Sequence, residues 1–171
     1  MFGVYDFFPK SYHGVAHFSY NSSIRDLQRI IIETLYQLNQ GKVDVKDLIK
    51  SNIEVILEFG IADGATFNYI DQEMLKYYLG KFYEQIFPLF DFFCVVRYHI
   101  IEKDKRKPLR FDYYILRFLF REEEVELQIF HEKGTRRLSV EDLITFLMKN
   151  INRELAQKNL GPLNTIYIRA L

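Results

Sequence analysis

The stretch Tyr114-Ile115-Leu116-Arg117-Phe118-Leu119-Phe120-Arg121-Glu122-Glu123-Glu124-Val125-Glu126-Leu127-Gln128-Ile129 decides the fold. Up to Phe120 the even positions Tyr114, Leu116, Phe118 and Phe120 are large and apolar. After Arg121 to Glu124 the parity switches, and Val125, Leu127 and Ile129 carry the apolar pattern. A tight hairpin requires this switch. With Arg121 opposite Glu124 across a Glu122-Glu123 turn, Phe120 faces Val125, Phe118 faces Leu127 and Leu116 faces Ile129. Side chains alternate along a strand, so one register puts all these pairs on a single face. The run from Phe92 to Glu102 offers a matching face in Phe92, Cys94, Val96, Tyr98 and Ile100. Residues Asp91 to Glu132 are therefore predicted to form a three-stranded antiparallel meander.

The rest of the chain is read outward from that meander. Gly14 to Tyr20 reads as a strand. Ser22 or Ser23 caps a helix through Gln40, with Leu27, Ile30, Ile31, Leu35 and Leu38 at helical spacing and Gly41 as the left-handed stop. Asp44 to Asn52 suggests a short second helix. The run Val55-Ile56-Leu57-Glu58-Phe59-Gly60-Ile61-Ala62-Asp63-Gly64 resembles the first motif of Rossmann-type methyltransferases, an apolar strand followed by an acidic residue and spaced glycines. Alanine stands where a middle glycine belongs, and Ala65 to Ile70 is strand-like rather than helical. The predicted element is instead a hairpin with an Ala62-Asp63-Gly64 loop, pairing Phe59 with Phe67 and Leu57 with Tyr69.

Asp71 caps the next helix, whose face carries Met74, Leu75, Tyr78, Leu79, Phe82 and Ile86 before Pro88. Ser139-Val140-Glu141-Asp142 resembles a capping box, with Leu138 and Leu143 placed as a hydrophobic staple. Leu143, Ile144, Leu147, Ile151 and Leu155 form that helix's buried stripe. Gly161-Pro162 ends the segment, and Thr165 to Leu171 reads as a closing strand. Residues 1–171 are predicted to form a single α+β domain, with a mixed or antiparallel sheet and two or three helices packed on one face.

Composition narrows the function classes. A chain of 171 residues fits one domain and can bury roughly two thirds of its unfolded surface. No run approaches the roughly 18 to 20 apolar residues of a membrane span, and Met1 to Asp6 lacks the pattern of a signal peptide. The single cysteine, Cys94, excludes an internal disulfide framework and suits a reducing compartment, so a cytoplasmic location is expected. On the inward face of a strand, Cys94 reads as a buried thiol rather than a nucleophile. Lys+Arg and Asp+Glu each total 23, which argues against general affinity for nucleic acid or acidic membranes.

Site chemistry is sparse. His13 and His17 are four residues apart, but Gly14 lies between them and no third ligand has suitable spacing, so no metal or cofactor is expected. His99 falls on the outward face of its strand. The serines sit in turns and caps, and Glu122 to Glu124 form a wet hairpin tip, so no catalytic group can be assigned. Three surfaces remain.

The first is the outward meander face. Phe93, Val95, Ile101, Phe111, Ile115, Leu119 and Phe130 share it with Arg97, His99, Arg117, Glu126 and Gln128. This is too apolar for a solvated face and too charged for a sealed core, so either Met1 to Ser11 or another subunit should cover it. It makes the protein a non-catalytic self-associating or protein-interaction module, with Phe93, Val95, Arg97, Phe111, Ile115, Arg117, Leu119 and Phe130 as the interface and a homo-oligomer or protein partner. The second is the loop Lys103-Asp104-Lys105-Arg106-Lys107-Pro108 with Arg110. Beside exposed Phe111 and Tyr113, its Lys103, Lys105, Arg106, Lys107 and Arg110 suit RNA or single-stranded nucleic acid. The third is Thr135-Arg136-Arg137 before the Ser139 helix, an anion site for a phosphate- or nucleotide-binding enzyme with His131 as acid or base.

Overall fold

Antiparallel pairings build the whole sheet, as the alternating apolar runs require. The computed structural model describes residues 1–41, 48 and 52–171. Among these, the chain runs β1 (Gly14–Ser19), α1 (Ile24–Asn39), β2 (Ile53–Asp63), β3 (Thr66–Tyr69), α2 (Gln72–Glu84), β4 (Leu89–Glu102), β5 (Lys105–Pro108), β6 (Asp112–Arg121), β7 (Glu124–Lys133), α3 (Val140–Gln157) and β8 (Asn164–Ala170). The eight strands form one sheet in the order β3-β2-β4-β6-β7-β1-β8, with β5 paired to the end of β4. This is an α+β fold. The helix suggested for Asp44 to Asn52 lies largely outside the described residues.

The β6–β7 pairs are Arg121 with Glu124, Phe120 with Val125, Phe118 with Leu127 and Leu116 with Ile129. Glu123 takes the left-handed turn position at φ 64°. On β4, Phe92 stands opposite Leu116 and Phe90 opposite Phe118. Their side chains, with those of Cys94, Val96 and Tyr98, join Leu27, Ile31 and Leu35 of α1, Tyr78 and Phe82 of α2 and Leu143, Leu147 and Ile151 of α3 in one core. Each such apolar side chain contributes about 1.5–3 kcal/mol by leaving water.

The helix ends follow their local chemistry. Ser23, Asp71 and Ser139 are the N-caps, each side chain accepting a backbone N–H three residues on. Gly14 is required by packing: a Cβ there would meet Cγ1 of Val140, the first residue of α3, at 2.2 Å.

The structure corrects the expectations at three places. The β2–β3 hairpin pairs Ala62 with Phe67 and Asp63 with Thr66, leaving Gly64 and Ala65 as a two-residue turn. Phe59 is thus not opposite Phe67 but pairs with Cys94, because the strand runs on through Ala62 and Asp63. Ile86 lies beyond the end of α2 and is 48% exposed, so it is not part of the buried stripe. Residues Lys105 to Pro108 are not a plain loop but extend β4 as a second hairpin, with Lys103 and Asp104 both left-handed at its turn.

Candidate functional site

The outward sheet face, opposite the helices, is partly sealed by the chain's own N-terminus. Gly3 N–H donates to Ala62 O at 2.8 Å, Asp91 N–H donates to Gly3 O at 2.7 Å, and Tyr5 N–H donates to Asp91 Oδ2 at 2.7 Å. Asp91 is fully buried, and Arg117 grips it through two hydrogen bonds of 2.7 Å. Phe8 lies over the guanidinium with 4.1 Å between Arg117 Cζ and the ring centre. A buried carboxylate needs this closure, since an unpaired charge would be strongly destabilising. Ile115 is 3% exposed beneath this layer, while Phe93, Val95, Arg97, Arg117, Leu119 and Phe130 are half-buried and Phe111 is exposed. Of the two covers expected for this face, a segment of the same chain supplies one.

Further along the face, His17 Nε2 meets Glu126 Oε1 at 2.5 Å, and Gln128 donates to the other Glu126 oxygen. Tyr167 of β8 stacks on the His17 ring at 4.5 Å. His13 packs on Phe130 at 4.7 Å, and its Nδ1 accepts the N–H of His131 at 2.9 Å. Burial, the nearby Arg136 charge and His131 hold the His13 pKa below its usual value. Sequence reading did not find this cluster, because it joins β1, β7 and β8, three strands far apart in the chain.

The loop entering α3 is organised by Asp112, a fully buried carboxylate. Tyr98 donates to Oδ2 at 2.5 Å, and His131 Nε2 lies 2.9 Å from Oδ1. The backbone N–H groups of Arg136 and Arg137 donate at 2.6 and 2.9 Å. Burial raises the carboxyl's pKa, but these four hydrogen bonds outweigh it and hold the value below the usual range. Gly134 permits the approach: a Cβ at its φ of +115° would meet Asp112 Oδ1 at 2.3 Å. In the loop expected to hold an external anion with Thr135, Arg136, Arg137 and Ser139, the backbone N–H groups of Arg136 and Arg137 thus serve Asp112. Ser139 Oγ accepts Asp142 N–H at 3.0 Å. His131 is bound to Asp112 as a structural ligand of that carboxylate.

At the same end of the sheet the segment that follows the basic hairpin meets the α3 approach. Arg110, Phe111 and Tyr113 line an open hollow of about 480 Å³ with Lys133, Gly134 and Thr135. Arg97 lies over Phe111 with 4.9 Å to the ring centre and donates to Glu58 at 2.7 Å. Arg106 pairs with Glu54, and Lys107 lies 4.0 Å from Glu102. Lys103 and Lys105 are exposed, whereas Tyr113, expected outside, is half-buried.

The longest fully exposed strand is β8. All seven of its residues are exposed, and the strand ends the sheet. Sequence analysis gives the strand but not its position beside β1 at one end of the sheet. Cys94, by contrast, is fully buried, and burial pushes its thiol pKa far up, which suppresses thiolate chemistry. Among the described residues no cluster of three or more His, Cys, Asp or Glu side chains is placed to hold a metal. No described helix is long and apolar enough to cross a membrane.

Comparison with known proteins gave no matching family model, no matching curated protein and no matching solved structure.

Proposed function

We propose that this protein is a self-associating module whose copies join through the free edge of β8. The observation that carries this reading is the state of that strand: seven residues, all exposed, with Ile166, Tyr167 and Ile168 at 51%, 45% and 37% and, among the described residues, no strand neighbour on one side. Long apolar edges are normally blunted by charge, proline or a bulge. β8 has one charge, Arg169, no proline, and a single irregularity near His17 and Phe18 of its partner. Elsewhere an edge is closed deliberately: on β2, the Asn39 side chain accepts Phe59 N–H at 2.7 Å and donates to Phe59 O at 2.9 Å.

A second copy fits this edge because β8 is self-complementary. Leu171 N–H donates to His13 O, so its backbone points at β1. Alternation along an antiparallel pair then turns the N–H and C=O groups of Ile168 and Ala170 away, into solvent. An antiparallel pair centred on Tyr167 sets Ile166 opposite Ile168 and Arg169 opposite Thr165, so no like charges meet. Ile168 pairs with Ala16 on the core side of the sheet, yet the helices leave it exposed. The outward-face residues Leu119 and Phe130 belong to the same reading as a secondary contact surface.

Sedimentation of the wild type and Ile168→Lys tests the proposal. Association at tens of micromolar that the lysine abolishes is the expected result. A wild type that stays monomeric, or a variant that associates equally, contradicts it.

A further inference from the structure

We infer that the end of the sheet formed by β5, the start of β6 and the approach to α3 binds single-stranded nucleic acid, with the bases stacking along an aromatic path on the outward face. Two observations meet there. The first is a row of rings in contact: Phe111 to Tyr113 at 6.3 Å, Tyr113 to Phe93 at 5.4 Å, Phe93 to Phe67 at 5.1 Å, Phe67 to Tyr5 at 4.7 Å and Tyr5 to Phe7 at 5.8 Å. The path starts in the hollow at Phe111, 37% exposed, and ends at Phe7, 68% exposed. Rings of this kind accept any base, since every base has a π-face.

The second observation is the local charge. The segments Glu102 to Asp112 and His131 to Arg137 hold eight Lys or Arg against four Asp or Glu, a surplus that the neutral total of the chain conceals. One of the four acids, Asp112, is closed off by its four donors. Glu54 and Glu58 nearby are occupied by Arg106 and Arg97. Among the described residues, Lys103, Lys105, Arg110 and Lys133 are in no ion pair, and Arg110 and Lys133 flank Phe111 and Tyr113 in the hollow of about 480 Å³. Cations beside one exposed and one half-buried ring match a phosphate backbone with unpaired bases; a duplex would bury its bases and leave the rings unused. An acidic peptide would engage the cations alone. The site is separate from the β8 edge, so either inference can fail without the other.

The test is fluorescence anisotropy with a labelled oligouridylate of about 12 nucleotides, the matching oligothymidylate and a duplex of equal length. Full-length protein is used, with salt raised from about 50 to about 200 mM. Single strands should bind more tightly than the duplex and weaken steeply with salt. Phe111→Leu keeps an apolar side chain but loses the ring, and should weaken binding roughly tenfold. Phe111→Tyr keeps the ring and should bind as the wild type does. Arg110→Glu with Lys133→Glu should lower the salt slope by about two. Sedimentation of each variant should match the wild type. No binding at low salt, equal binding of duplex, or wild-type affinity in Phe111→Leu and the charge-reversed variant would overturn the inference.

Discussion

The Tyr98 hydroxyl donates to Asp112 Oδ2 at 2.5 Å, and the Tyr98 hydroxyl oxygen itself accepts the N–H of Leu138 at 3.1 Å. One side chain of β4 thereby fixes β6 and the entrance to α3, while Tyr114 donates to Leu138 O beside it. Tyr98→Phe removes a donor from a buried carboxylate and leaves a buried N–H unpaired. A loss of about 2–3 kcal/mol in denaturant melts is expected. A change within about 0.5 kcal/mol would place Tyr98 outside the load of the network.

The depressed pKa of Asp112 sets a pH dependence. Its hydrogen bonds favour the carboxylate more in the folded than in the unfolded chain, so the stabilisation is complete above the ordinary value of 3.8. It is lost as pH falls through the lower folded value. Asp112→Asn should therefore be less stable than the wild type at neutral pH, with the gap narrowing below about pH 4. A gap that stays constant down to acid denaturation would show that the carboxylate charge contributes nothing.

Deleting residues 1–8 should uncover the Asp91–Arg117 pair. The deletion removes the Tyr5 N–H from Asp91 and the Phe8 ring from Arg117. Phe8→Ala alone should cost about 0.5–2 kcal/mol, mainly through the lost cation–π contact. Arg117→Met leaves a buried carboxylate without its cation and should cost about 3–5 kcal/mol. The ordering of the two losses in urea melts checks the account; a Phe8→Ala loss as large as that of Arg117→Met would contradict it.

Phe118 and Leu119 separate the two sheet faces. Phe118 is 1% exposed in the core, and Leu119 is half-buried on the outward side. Phe118→Ala should lose about 3–5 kcal/mol, and Leu119→Ala clearly less. Equal losses would mean that both faces are sealed alike.

The β6–β7 register was legible because its cause is local: the parity of Phe118, Phe120, Val125 and Leu127 admits one pairing. The helix starts at Ser23, Asp71 and Ser139 were legible for the same reason. The β2–β3 turn was misplaced because Ala62 and Asp63 look like loop residues, while their pairing with Phe67 and Thr66 of β3 carries the strand through them. Asp112 gave no signal. An aspartate at the start of a strand looks solvated until Tyr98, His131 and the backbone at Arg136 and Arg137 converge on it from distant positions. The exposed basic run from Lys103 to Arg110 was visible, but the meeting of Arg110 at its end with Lys133 and Thr135 in one hollow depends on sheet order. The same holds for β8, whose exposure follows from lying beside β1 at the end of the sheet.

Residue-resolved amide exchange of β8 across a protein concentration series tests the association most directly. The N–H groups of Ile168 and Ala170 point away from β1, whereas that of Leu171 is bonded to His13. Self-pairing predicts that Ile168 and Ala170 exchange fast at low concentration and become protected as concentration rises. Protection at Leu171 should change far less. Fast exchange at Ile168 and Ala170 at every concentration up to tens of micromolar would contradict the proposal that copies of this chain join through β8.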